Sequence, residues 1–153
     1  PIGLGARDSL RLEAGLPLFG QDLGEDITPV EAGLIWAIGT ARRAGGDRAG
    51  GFPGADVILE QIARGAPRKR VGLLPQTRAP MRAGVAIFES ETATAPTGTV
   101  TSGGFGPSLG APVAMALVAA ETPEDAPLFG DVRGKRLPAR IASLPFIRPT
   151  YKR

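Results

Sequence analysis

Residues 98–119 read GTVTSGGFGPSLGAPVAMALVA, and this stretch decides the fold. Val, Thr and small residues run from Gly98 to Ser102, turn-forming residues follow, and a compact apolar run occupies Val113 to Ala119. Two short apolar runs separated by Gly and Pro read as paired strands rather than as a helix. Gly103-Gly104 reads as a sharp bend between strands, with neither the Lys-Ser/Thr pair nor the following helix of a phosphate-binding loop.

The pattern repeats outward. Val71–Leu74, Val85–Phe88, Phe129–Arg133 and Ala139–Leu144 are further short apolar runs, punctuated by Pro75, Pro80, Pro96, Gly110, Pro123, Pro127 and Gly134. Six short strands at this spacing, after Pro67, predict a closed antiparallel barrel or jelly roll. The expected division is a helix-containing segment over 1–66 and a β-barrel domain over 67–153, an α+β chain.

Before Pro67 the periods change. Gly3–Gly20 reads GLGARDSLRLEAGLPLFG and places Arg7, Asp8, Ser9, Arg11 and Glu13 between leucines. Leu4, Arg7, Leu10 and Arg11 fit a helix, Gly15 suits its C-terminal stop, and Pro17 prevents continuation. Glycines at 3, 5 and 15 read as shaping this helix. Thr28-Pro29-Val30-Glu31 has the pattern of a capping box with Pro in the first turn, so a short helix is expected there, ended by Gly33. Leu34–Ile38 reads as a buried strand and Gly39–Gly51 as a mobile loop. Gly54–Arg64 regains helical spacing, with Ala55, Ile58, Leu59 and Ile62 on one face and Gly65 as the stop.

Composition narrows the chemistry. The 153 residues are 42% hydrophobic and 22% charged, with 22 Gly and 15 Pro, a globular composition with too many breakers for a helix bundle. Net charge is +3, and the basic residues are scattered except for Arg68-Lys69-Arg70, so nucleic acid is not an expected partner. No Cys and no His are present, which excludes from this chain a thiol nucleophile, a Ser-His-Asp triad and a Cys/His zinc site. No apolar run is long enough to span a bilayer as a helix. The first residues carry neither initiator Met nor signal pattern, so the expectation is a chain that begins inside something larger, in the cytoplasm.

Arg7 is the residue that points to a ligand. A guanidinium near a helix N-terminus opposes the helix dipole. An anionic ligand in bidentate contact would resolve that conflict; so would a surface pair with Asp8 or Glu13. Tyr151, in a tail with Pro145, Phe146 and Pro149, could lie against another part of the protein or simply fray.

Taken together, GLGARDSLRLEAGLPLFGQDL, TPVEAGLIWAI, FPGA, RVGL, APMRAG, VTSGGFGPSL, VAMALV, VRGK and LPF, in this order, resemble the C-terminal part of the aminomethyltransferase family, the T-protein of the glycine cleavage system in a bacterial version. The C-terminal modules of sarcosine and dimethylglycine dehydrogenases are related and form the alternative. The folate-binding relatives linked to iron–sulfur cluster maintenance carry a Lys-Gly-Cys motif that this Cys-free chain lacks.

The resemblance implies transfer of an aminomethyl group from the lipoyl arm of the H-protein to tetrahydrofolate, with release of ammonia. It implies that Arg7 and Tyr151 contact folate, although the tail here differs in having Arg148 before Pro149. It places the family's catalytic aspartate and a folate-binding glutamate upstream of the GLGARD motif, outside these 153 residues. Asp8, Asp22 and Glu31 are therefore not candidates for those roles, no catalytic residue is assigned in this chain, and the chain alone is expected to be inactive. No metal is implied. A separate expectation makes Arg68, Lys69, Arg70, Arg78 and Arg82 a basic docking surface for an acidic H-protein.

Overall fold

The structure, a computed structural model, describes residues 2–148 and residue 150. Six antiparallel strands form a closed barrel: β1 (Arg68–Pro75), β2 (Ala86–Phe88), β3 (Gly98–Gly106), β4 (Ala111–Ala119), β5 (Pro127–Val132) and β6 (Lys135–Ala142), ordered β1-β4-β3-β2-β5-β6. Closure is made by β1, which pairs with β4 on one side (Val71 opposite Ala116) and β6 on the other (Leu73 opposite Ile141). Each strand pairs with two neighbours over at least part of its length, which is the physical gain of closing so small a sheet.

The barrel core is built from the inward side chains of these strands, among them Leu73, Ile87, Val100, Ala116, Val118 and Leu128. Small residues on β4 leave room for the larger ones opposite. β4 is also covered from outside, where Val113 and Met115 meet Leu12, with Leu74, Leu144 and Phe146 packed around them. A strand buried on both faces shows no polar alternation, so VAMALV reads as a continuous apolar run.

The six strand segments predicted after Pro67 all appear, with shifted ends, and the reading of the glycine pair between them is corrected. Gly103 and Gly104 are not a bend: they lie inside β3, paired with Ala114 and Val113, and the chain reverses at 107–110 instead. Gly103 is required because a methyl group there would overlap the Met81 carbonyl oxygen.

Two helices precede the barrel, α1 (Leu4–Glu13) and α2 (Ala55–Arg64), both where sequence spacing placed them. α1 ends in a Schellman arrangement: Gly15 N donates to Leu12 O at 3.0 Å, and Leu16 N to Arg11 O at 2.9 Å. Gly15 has φ 65°, which suits its lack of a side chain, and it packs against Leu144. Gly3 and Gly5, by contrast, face open space among the described residues and are not sterically demanded.

The segment between the helices departs from the sequence reading. At Thr28–Glu31 the capping-box bonds form, Thr28 N to Glu31 at 2.9 Å and Glu31 N to Thr28 Oγ1 at 3.2 Å. They enclose a single turn with no helix beyond it, because Gly33 turns to φ 70°. Leu34–Ile38 is not a buried strand. It holds a 3-10 turn at Ile35–Ala37, and Trp36 is 77% exposed. These backbone groups bond locally, Ala37 N to Leu34 O at 2.9 Å and Ile38 N to Ile35 O at 3.0 Å. Gly39–Gly51 contains a second 3-10 turn (Thr40–Arg42) and is laced by arginines. Arg43 donates to the carbonyls of Ile35 and Ile38 (2.7 and 2.9 Å), and Arg42 to that of Gly50 (3.0 Å). The loop thus has internal bonds that its Gly-rich composition concealed.

Candidate functional site

α1 carries the polar residues singled out from sequence, and it sorts them by position. Residues 4–8 are exposed, whereas Arg11, Leu12 and Glu13 are buried, Leu12 and Glu13 against the barrel. The helix is therefore held at its C-terminal end and presents its N-terminal end outward.

The buried end is held by charge. Asp22, 2% exposed, receives four donors: Arg11 Nη1 at 2.6 Å, the Leu18 amide at 2.9 Å, Thr101 Oγ1 at 2.5 Å and Ser102 Oγ at 2.7 Å. Gln21 joins them, accepting from Arg11 at 2.9 Å and from Ser102 at 3.1 Å. Glu13, 3% exposed, accepts from the amide and hydroxyl of Ser108 (2.8 and 2.9 Å) and from the Leu109 amide (3.1 Å). Every donor demanded by these two buried carboxylates is present, as a buried charge requires.

Sequence reading assigned no role to Thr101 and Ser102. Neighbouring residues on a regular strand point to opposite faces, yet both hydroxyls reach one carboxylate. A β-bulge resolves this. Val100 pairs with Ala116 and Ser102 with Met115, leaving Thr101 as the extra residue. Two hydroxyls in succession within an otherwise small and apolar strand were the available signal.

The first turn of α1 is free of acid, and no side chain caps it at Gly3, so its first amides are open. Arg7 makes no ion pair among the described residues. Both partners offered by sequence are engaged elsewhere: Asp8 is bound by Arg11 (2.8 and 2.6 Å), and Glu13 is turned into the barrel. An exposed guanidinium beside an uncapped helix end is suited to a ligand carboxylate. Tyr151, the other expected contact, lies outside the described residues.

The remaining acids have structural employment. Glu31 is buried, caps Thr28 and pairs with Arg68 at 2.7 Å. Burial alone would raise its pKa, but the Arg68 hydrogen bond, the Thr28 amide and the Arg68 charge together hold it below the ordinary carboxylate value. Arg68 is correspondingly raised, chiefly by its bond to Glu31. Arg70 is lowered by burial, with Asp22 opposing, and it donates to the carbonyls of Ala32 (2.8 Å) and Gly15 (2.9 Å). Lys69 donates to Thr122 O at 2.7 Å.

The basic run Arg68–Arg70 is thus engaged in bonds to this chain's own carboxylate and carbonyls. Arg78 and Arg82 are exposed, the Arg68 side chain is 41% exposed, and Arg82 reaches the Gly103 carbonyl at 3.3 Å. Among the described residues no cluster of acidic side chains could hold a metal ion, and no helix is long and apolar enough to cross a membrane.

A six-stranded closed barrel with a helical arm fastened to its β3–β4 hairpin is the architecture of a T-protein-type C-terminal region. Residues 68–147 match the family model described as the glycine cleavage T-protein C-terminal barrel domain, and residues 1–42 match the GCVT N-terminal domain. The chain belongs to the glycine cleavage T-protein family. Mitochondrial aminomethyltransferase of Gallus gallus is 49% identical over 99% of this chain and 37% of its own length. Aminomethyltransferase of Xanthomonas axonopodis is 41% identical over 97% of the chain and 37% of its own. The crystal structure of glycine cleavage system aminomethyltransferase T from Bartonella henselae superposes with a TM-score of 0.85 at 48% identity, over 95% of this chain and 39% of that one. The chain thus spans little more than a third of the length of these relatives.

Proposed function

We propose that this chain supplies the folate-facing helix and terminal barrel of a tetrahydrofolate-dependent aminomethyltransferase. In that reaction the aminomethyl group of the lipoyl H-protein passes to tetrahydrofolate and ammonia is released. The observation that carries the proposal is Arg7, exposed on the uncapped end of α1 with both neighbouring acids engaged elsewhere. Its guanidinium would hold an anionic group of the folate by paired hydrogen bonds, with Tyr151 as a second contact. The names of the matched relatives support aminomethyl transfer over a role in a sarcosine or dimethylglycine dehydrogenase.

The chain's own residues bind and orient in this scheme; they do not move the reacting proton. Asp8, Asp22 and Glu31 are each bound to an arginine or buried in a fastening, so none is poised over a ligand. The 153-residue chain is expected to show no aminomethyl transfer with H-protein and tetrahydrofolate, and measurable turnover by it would refute this assignment. In the full-length protein Arg7→Ala should weaken tetrahydrofolate binding by about 10- to 100-fold, the worth of a charged hydrogen-bond pair. Unchanged affinity in a titration would remove Arg7 from the site. A cytoplasmic location is part of the same proposal, checked by fractionation.

A further inference from the structure

We propose that the bulged pair Thr101–Ser102, acting through Asp22 and Arg11, is a positioning element for Arg7; this rests on the folate-binding reading of Arg7. The argument begins with how α1 is held. Leu12 and Glu13 touch the barrel directly and Arg11 is tied to it through Asp22, all at one end of a ten-residue helix. The other end projects outward and carries Arg7, so the helix behaves as a cantilever. Leu12 sits in an apolar cluster, which resists separation but is indifferent to rotation. Direction is set by the polar contacts. Glu13 bonds the hairpin turn at Ser108 and Leu109 and accepts from the Ile147 amide at its carbonyl, and Arg11 bonds Asp22 and Gln21.

Asp22 is held in turn by the Leu18 amide and, from the barrel side, by Thr101 and Ser102, and the two hydroxyls are what tie its position to the barrel. An unbulged β3 would offer it one hydroxyl and turn the other away. The bulge thus converts a strand into a two-point grip, and the grip passes through Asp22 to the helix. Arg7 and Arg11 are four residues apart on one helix face, about 6 Å along the axis. A pivot of about 10° at Arg11 displaces Arg7 by about 1 Å, enough to cost a large factor where a bidentate contact must be met.

The test is a double-mutant cycle in the full-length protein, titrated with tetrahydrofolate. Thr101→Val keeps shape and removes one hydroxyl, and Ser102→Ala removes the other. Each is expected to raise the dissociation constant on the order of tenfold with Arg7 present and to leave it unchanged in the Arg7→Ala background. Thr101→Ser, which keeps the hydroxyl, should restore wild-type affinity. An equal loss in both backgrounds would mean that the bulge acts on folding in general, and the proposal fails. Unchanged affinity in Thr101→Val and Ser102→Ala also overturns it. If Arg7→Ala alone leaves affinity intact, the folate-binding reading of Arg7 has failed, and this inference goes with it. The single-mutant arm thus separates the two failures.

Discussion

The barrel and the arm in front of it are held together by different physics. Residues 68–142 are held by a closed ladder of backbone bonds around an apolar core. The segment from residue 2 to 67 has few buried apolar side chains, chiefly Leu12 and Ala32. It is pegged to the barrel instead by Asp22, Glu13, Glu31, Arg68 and Arg70, each reaching across the boundary. A core tolerates shifts of side chains, because dispersion and burial have little directionality. A charged peg does not, since its worth depends on every donor meeting its acceptor. The arm is therefore the part whose geometry is specified most sharply and whose stability is most easily lost.

The largest expected effect lies in the barrel. Gly103→Val would drive a branched side chain into the Met81 backbone, and the barrel should fail to form, seen as loss of the cooperative thermal transition. A well-folded variant with an unchanged melting temperature would contradict the close approach.

The next test separates the two regions. Asp22→Ala leaves Arg11 paired with Asp8 alone and removes the acceptor of the Leu18 amide, Thr101 and Ser102, so it should cost about 3 kcal/mol of arm docking. Hydrogen exchange should show faster exchange in α1 while the β1–β4 amides stay protected. Equal deprotection of both would show that arm and barrel are one cooperative unit. Arg70→Met is a milder version. It removes two hydrogen bonds to backbone carbonyls but keeps the aliphatic stem, so a loss of about 1–3 kcal/mol is expected.

The smallest effect is a pH dependence. Glu31 has a pKa lowered by folding, so its contribution is complete above the unfolded value and is lost as pH falls through the folded one. Arg68 is partly exposed, so solvent screening reduces the pair to about 1 kcal/mol. Thermal melts should show a loss of stability on acidification that Glu31→Gln diminishes. A profile identical in Glu31→Gln would assign the acid sensitivity to other carboxylates.

The two regions also differ in how far they could be read beforehand. Local signals sufficed where local physics governs: Gly15 as the helix stop, the helix over Ala55–Arg64, and six short strands between turns. Leu34–Ile38 misled because an apolar run specifies burial or pairing only if something is available to pair with. Gly103-Gly104 misled because a glycine required by a distant carbonyl looks the same as one required by a turn. The basic run at 68–70 suggested a partner because the carbonyls that absorb it lie some forty or more residues away in sequence.

By itself the sequence determined an α+β chain, the positions of its helices and strand segments, and the family to which its motifs belong. Those follow from period, punctuation and motif order, which are properties of neighbours along the chain. Only the tertiary structure decided the strand order that closes the barrel, the bulge that turns Thr101 and Ser102 to one carboxylate, and the engagement of Asp8 and Glu13 that leaves Arg7 unpaired among the described residues. Each of these depends on which groups separated in sequence come within hydrogen-bonding distance, and no local pattern carries that information.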